Sequence, residues 1–391
     1  MKLLAPFRLL LISTFLLSNL FFIQRFSANA SDVLECDPYR KSEALLTREY
    51  LDEIVNLEAG KPIDALIVFV EFENRRAIYS DRRTLSKVSK KVSEFYSFMS
   101  EGEIWFNWIE HKDVIQVGKD TNTYRANFRG NAGIALIIED VQKILARGIE
   151  IHEMEYMLIV TPSTTLDSEL SSSIAYLDRG VGIVNSAILA SDFWNAGGDW
   201  KVVAHEIGHG FGLLDLYSTA TALLVSAGKA SLSSQFEFMK SYDLMNSPSA
   251  RSPSFVMWNR FQLVPTLSSR IICYQSDTVR YRLVSINSTK SGFKAILVPL
   301  SDSSLLMIEV RDDIGMDAKI HKSDLGVITY TVSLQAKSGE GPLLMDCSQA
   351  SKSKYANCGL KVGHSRSIDG VRVTLTKQKN GEFFASVVRR P

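Results

Sequence analysis

Residues 200–217 read WKVVAHEIGHGFGLLDLY. Trp200, Val203 and Ile207 recur at helical spacing and give the segment an apolar side, with Asp199 after Gly197-Gly198 as its candidate N-cap. On such a helix His205 and His209 lie one turn apart and face the same way. Two imidazoles at that spacing can hold one Zn²⁺ at about 2.0–2.1 Å each. Glu206 follows the first histidine directly, where a carboxylate reaches a metal-bound water rather than the metal. Zinc brings that water's pKa toward 7, and the carboxylate then takes its proton as it attacks a carbonyl.

A catalytic zinc site usually has three protein ligands and one open position. Gly212 suits the end of the helix, because glycine takes the left-handed conformation without penalty. Past it the chain turns, and Asp215 can approach the metal from another direction. An Asp in place of a third His adds negative charge and makes the bound water less acidic. A core helix with two buried histidines would also carry HExxH, but Gly212 and Asp215 at fixed offsets argue against it. They argue equally against a ligand further on, such as Glu237. His111, His152, His321 and His364 have no metal spacing and read as surface or structural residues.

Downstream, Ser241-Tyr242-Asp243-Leu244-Met245-Asn246 reads as a short turn. It resembles the turn in which metzincin-type zinc proteases place a methionine beneath the metal, and Met245 is expected to form that apolar floor. Tyr217 and Tyr242 are candidates for a phenol that stabilises an oxyanion, and both also read as packing residues.

Upstream, residues 65–72 (ALIVFVEF) form an apolar, β-branched run, expected to be a buried strand. Leu85, Val88, Val92, Phe95 and Met99 recur at helical intervals, residues 104–110 alternate as a strand would, 135–147 is helical in period, and 157–160 is a short buried strand. Strands alternating with helices argue for an α/β domain over a central sheet. From Ile271 the texture changes to short alternating runs at 281–284, 293–298, 305–310, 327–332, 371–376 and 383–388, a β-rich second domain.

Met1 to Ala30 carries Lys2 and Arg8, an apolar run from Leu9 to Ile23 and then Ala28-Asn29-Ala30, the pattern of a secretory signal peptide. The run is short for a membrane span. The mature chain is therefore expected outside the cytoplasm, secreted or periplasmic, with no transmembrane span. There Cys36, Cys273, Cys347 and Cys358 can oxidise. Cys347–Cys358 is the expected close pair and leaves Cys36–Cys273, although four cysteines allow three pairings. A free Cys36 blocking a metal site is the alternative. Asn287-Ser288-Thr289 is a glycosylation sequon.

The 391 residues carry a formal net charge of +1, which removal of the signal segment turns to a small negative value. Neither figure supports a nucleic-acid partner, and 46% hydrophobic content excludes disorder as the main state. The domains read as 1–30 signal peptide, 31–61 N-terminal segment, 62–267 catalytic domain and 268–391 β-rich domain.

HEIGHGFGLLDLY, SYDLMNS and then VMWNRFQLVP (256–265) together resemble the immune-inhibitor-A-type secreted metalloproteases, a metzincin-like family. The usual pattern there is HExGHxxGLPDLYD, a WDLM turn and a Trp-containing helix. The likeness runs through LLMIEVR (305–311) and GMDAKIHKSDLGVITYTV (315–332), and covers roughly residues 62–335. Leu214, Ser218 and Tyr242 depart from the usual Pro, Asp and Trp. The resemblance implies an α/β (α+β) zincin-like catalytic domain and a secreted zinc endopeptidase acting on proteins or peptides. His205, His209 and Asp215 would be its zinc ligands and Glu206 its general base. It also leaves room for Ca²⁺, for which the sequence offers no Asp-rich loop. The competing class is a secreted binding or adhesion protein on an inactive protease fold, which predicts loss of a ligand or of the Glu; neither is lost.

Overall fold

The run at 65–72 lies at the centre of the first sheet. Strand β1 (Ile63–Phe72) is buried along most of its length, as a parallel strand covered on both faces must be. It pairs in parallel with β2 (Phe106–Glu110), β3 (Ile115–Val117) and β4 (Tyr156–Thr161). Strand β4 pairs in parallel with β6 (Asn185–Ala190), and β5 (Ser172–Tyr176) runs antiparallel to β6. The order is β2-β1-β4-β6-β5, with β5 at an edge.

Helix α1 (Arg82–Met99) buries Leu85, Val88, Val92, Phe95 and Met99, the stripe its spacing predicts. Helix α2 (Ala132–Leu145) sets Ile137, Ile138, Val141 and Leu145 against Val68, Val70 and Ile159. Burying each such side chain is worth about 1.5–3 kcal/mol. The next helix, α3 (Trp200–Gly210), packs on α1, β5 and β6.

The structure, a computed structural model, describes residues 61–76, 82–125, 132–145, 154, 156–162, 172–176, 185–190, 200–247, 254–275, 280–347 and 358–389. The signal segment, the 31–60 stretch, Cys36, His152 and Asp199 lie outside the described residues. The described residues belong to one compact unit. Among them, no helix is long and apolar enough to cross a membrane.

After α4 (Thr219–Ser226) and α5 (Met257–Leu263), the chain becomes a two-sheet sandwich. One sheet has the order β12-β11-β10-β9-β7 and the other β13-β14-β15-β8. The first comprises β7 (Ile271–Cys273), β9 (Ala295–Ser301), β10 (Ser304–Arg311), β11 (Gly326–Ser333) and β12 (Leu343–Asp346). The second comprises β8 (Arg280–Val284), β13 (Ser365–Ile368), β14 (Val371–Lys379) and β15 (Glu382–Arg389). Ile296, Leu306, Ile308 and Val310 of one sheet meet Leu283, Val373, Phe383 and Val387 of the other in a common apolar core. Cys347 and Cys358 are disulfide-bonded, and Cys273 is disulfide-bonded as well.

Because side chains alternate along a strand, the opposite face of β10 presents Glu309 and Arg311, both fully buried. Arg311 donates to Glu309 at 3.0 Å, to Asp317 at 2.9 Å and to the Tyr242 carbonyl at 2.6 Å. Glu309 also accepts from the Met257 amide at 2.8 Å and the Tyr330 hydroxyl at 2.9 Å. The sandwich is thereby tied to α5 and to the turn at 241–246.

The sequon does not survive the structure. Asn287 is only 5% exposed, and its side-chain oxygen accepts from Arg260 at 2.5 Å. A buried amide held in that way offers no acceptor for a glycan.

Candidate metal centre

Helix α3 ends where its sequence predicts. The Leu213 amide bonds the Gly208 carbonyl at 3.0 Å and the Gly212 amide bonds that of His209 at 2.8 Å, with Gly212 at φ +80°. This pair of bonds is a Schellman cap, which needs a left-handed residue at the glycine position. The reversal carries the chain back past its own last turn and delivers Asp215 to the two histidines.

The rings of His205 and His209 lie 4.9 Å apart and nearly perpendicular. Each Nδ1 meets a backbone carbonyl, that of Leu244 at 2.9 Å for His205 and that of Leu213 at 2.8 Å for His209. A carbonyl only accepts, so each Nδ1 carries a proton, and each ring when neutral turns an Nε2 lone pair inward. Asp215 Oδ1 lies 3.4 Å from Nε2 of His205 and 3.1 Å from that of His209. That oxygen is buried and accepts no hydrogen bond.

Three lone-pair atoms thus converge within 4.8 Å of one another, the one such group of three among the described residues. A buried acceptor without a donor, as Asp215 Oδ1 is, is costly, and a cation among the three atoms would meet it. Two imidazoles and a carboxylate suit zinc, so the residues present fit a metal ion. A proton is the other remedy. Burial works against it, but the Asp215 carboxylate and then the Glu206 charge outweigh burial, and His209 is lifted to about 9. Burial likewise opposes ionisation of Asp215, yet the two histidines hold its carboxyl well below the usual range.

Glu206 is 7% exposed on the same turn of α3. Met245 is fully buried beneath the helix, and a Cβ at Gly208 would lie 2.7 Å from its sulfur. The turn is held by Asp243, whose Oδ1 accepts from the Met245 amide at 2.7 Å and whose Oδ2 accepts from the Val256 amide at 2.7 Å. Burial pushes that carboxyl up to about 7, against the pull of these two amides. The Met245 carbonyl in turn accepts from the Leu216 amide at 3.1 Å, next to Asp215. Tyr96 of α1 reaches the Ala204 carbonyl at 2.6 Å and pins α3 from behind.

Of the two candidate phenols, only Tyr217 lies at the cluster, its ring stacked 6.3 Å from that of His205. Its hydroxyl pKa is raised by burial and then by the charges of Asp215 and Glu206. Tyr242 commits its hydroxyl to the Asp324 carbonyl at 2.8 Å and its ring to the Arg311 guanidinium at 5.6 Å, a packing role. Glu237 is exposed and outside the cluster. His321 caps a short 3₁₀ turn, and His111 bonds the Asp113 carbonyl.

Sequence reasoning missed one neighbour. Ser338, in the loop between β11 and β12, touches both the backbone and the carboxylate of Asp215.

No family model matches the chain, and no curated protein matches it. Among solved structures, crystal structures of OgpA from Akkermansia muciniphila align with it. The wild type is 11% identical over 74% of this chain and 91% of that one, at a TM-score of 0.34. A catalytically inactive form in complex with an O-glycopeptide (glycodrosocin) substrate is 12% identical over 74% and 93%, at a TM-score of 0.32. Scores this low do not establish a common fold, and the site is read from its own geometry.

Proposed function

We propose that the chain is a zinc-dependent endopeptidase of metzincin-like type, with residues 62–267 as its catalytic domain and 268–391 as a β-rich domain. The observation that carries this reading is the buried, unpaired Oδ1 of Asp215 facing two inward Nε2 lone pairs, with a buried Glu206 on the same helical turn. His205, His209 and Asp215 would hold the ion. When bound, such an ion supplies Lewis acidity and lowers the pKa of water. Glu206 takes the proton from the attacking water and returns it to the leaving amine. Tyr217, with its hydroxyl kept protonated, is the nearby donor for the oxygen that gains charge. Met245 supports the histidine turn from below and excludes water from that side. The motifs that resemble the immune-inhibitor-A type put the same four polar residues in the same roles. The Cys347–Cys358 disulfide and the segment 1–30 support a secretory route.

The test is cleavage of a fluorogenic peptide library by zinc-loaded protein beside Glu206→Gln. Loss of a positioned general base costs on the order of 10²–10⁴-fold in rate. The expected result is a loss of that size with metal content unchanged. Wild-type protein that binds zinc and cleaves nothing in the library would overturn the peptidase reading.

A further inference from the structure

We infer that Ser338, from the β-rich region, is a positioning residue of the metal centre that fixes Asp215 as a one-oxygen ligand. This rests on the metal-site reading above and not on the peptidase reading.

The Asp215 amide donates to Ser338 Oγ at 2.9 Å, and the same hydroxyl donates to Asp215 Oδ2 at 3.3 Å. One hydroxyl therefore grips both the backbone and one oxygen of the same residue. With Oδ2 engaged, rotation of the carboxylate is restrained, and Oδ1 is the oxygen left to face the two imidazoles. A carboxylate free to rotate would lose rotamer entropy on binding an ion, or would present both oxygens in a different geometry. Held as it is, the ligand is organised in advance.

The loop's approach is itself built. The Gly339 amide donates to the Asp215 carbonyl at 2.9 Å, and the Gly339 carbonyl accepts from the Thr219 amide at 3.2 Å. Gly339 has φ +76°, and a Cβ there would lie 2.1 Å from the Thr219 methyl carbon. Only glycine permits both the backbone angle and the approach. The loop is anchored at its far side by β11 and β12, which pair from Thr329–Asp346 to Val332–Leu343. The sandwich thus reaches across to the metal centre and completes its outer shell.

The experiment compares wild-type full-length protein, Ser338→Ala, Ser338→Thr and, as a loop control, Lys337→Ala. Ser338 is exposed, so these changes leave the cores untouched. Two readouts are independent of turnover: Zn²⁺ affinity by competition with a chromophoric chelator, and the visible spectrum of the Co²⁺-substituted protein. Outer-shell changes typically cost 10–100-fold in metal affinity. Ser338→Ala should fall in that range with an altered Co²⁺ band shape, Ser338→Thr should restore both, and Lys337→Ala should match wild type. Wild-type affinity and spectrum in Ser338→Ala would overturn the inference. If the wild type takes up no metal, the inference falls together with the metal-site reading. If it takes up metal but cleaves no peptide, only the peptidase reading falls, and the two metal readouts still decide the role of Ser338.

Discussion

Two clusters of ionisable groups lie close together in this chain, and they are built in opposite ways. Around Arg311, the cation comes from the chain itself. Glu309 and Asp317 take its guanidinium, Glu309 also takes a tyrosine hydroxyl and a backbone amide, and all three ions are fully buried. Around Asp215, three atoms able to bind a metal face one another, and the charge that meets the carboxylate comes from solution, as a metal ion or as the proton on His209. The first cluster carries its own cation and holds the sandwich against α5 and the Met245 turn. The second is completed only by a positive charge taken from solution. Proximity of charged groups therefore says little about role. What distinguishes the two is whether the protein supplies the counter-charge itself.

Removing Arg311 should do the most damage. Arg311→Met leaves Glu309 and Asp317 buried without their partner, a loss of about 3–5 kcal/mol by the usual cost of breaking a buried ion pair. It should appear in the urea midpoint of the metal-free protein. His209→Ala, in contrast, should leave that midpoint close to wild type when both are measured above about pH 9, where His209 has released its proton, while metal binding is lost. Equal destabilisation by the two would erase the distinction between the clusters.

A smaller effect is expected at the floor of the site. Gly208→Ala drives a methyl group to 2.7 Å from the Met245 sulfur, and overpacking of this kind costs about 1–3 kcal/mol. Combined with Met245→Ala the two losses should be less than additive in thermal melts, because the clash is removed. Strict additivity would mean that the two side chains do not compete for space.

The gentlest change is one of pH. The raised pKa of His209 means that the metal-free fold holds a proton that the unfolded chain releases near pH 6.5. Its stabilising contribution is full below about 6.5 and is lost as pH rises through about 9. The metal-loaded protein has already exchanged that proton. The gap in melting temperature between loaded and metal-free protein should therefore widen from pH 6.5 to 9, and a gap that narrows would contradict the assignment.

Much of this was legible in the sequence for local reasons. His205, Glu206 and His209 share one helix, and Gly212 marks its end by backbone chemistry alone. The sandwich strands at 281–284, 305–310, 327–332 and 383–388 announce themselves by period-two alternation. The short strands β3, β5 and β6 were not legible, because IQV, SSIAY and NSAILA are too brief or too polar to show a period. Nor was the partner of Asp215. Ser338 lies 123 residues away on an ordinary polar loop, and nothing local distinguishes its hydroxyl from the many others. The same holds for Arg311, which reads as the polar end of a strand and is instead fully buried. Tyr242 shows the reverse: its place in the turn suggested chemistry, and its hydroxyl proves to be bound to a neighbouring carbonyl.

His205, His209 and Asp215 are read as one site that takes a cation. Calorimetric titration of metal-free full-length protein with Zn²⁺, beside His209→Ala and Asp215→Ala, tests that reading directly. One equivalent should bind tightly to the wild type and at least about 100-fold more weakly to each variant, with the urea midpoints of the metal-free forms unchanged above about pH 9, where His209 is neutral. Binding by His209→Ala and Asp215→Ala as tight as that of the wild type would contradict it.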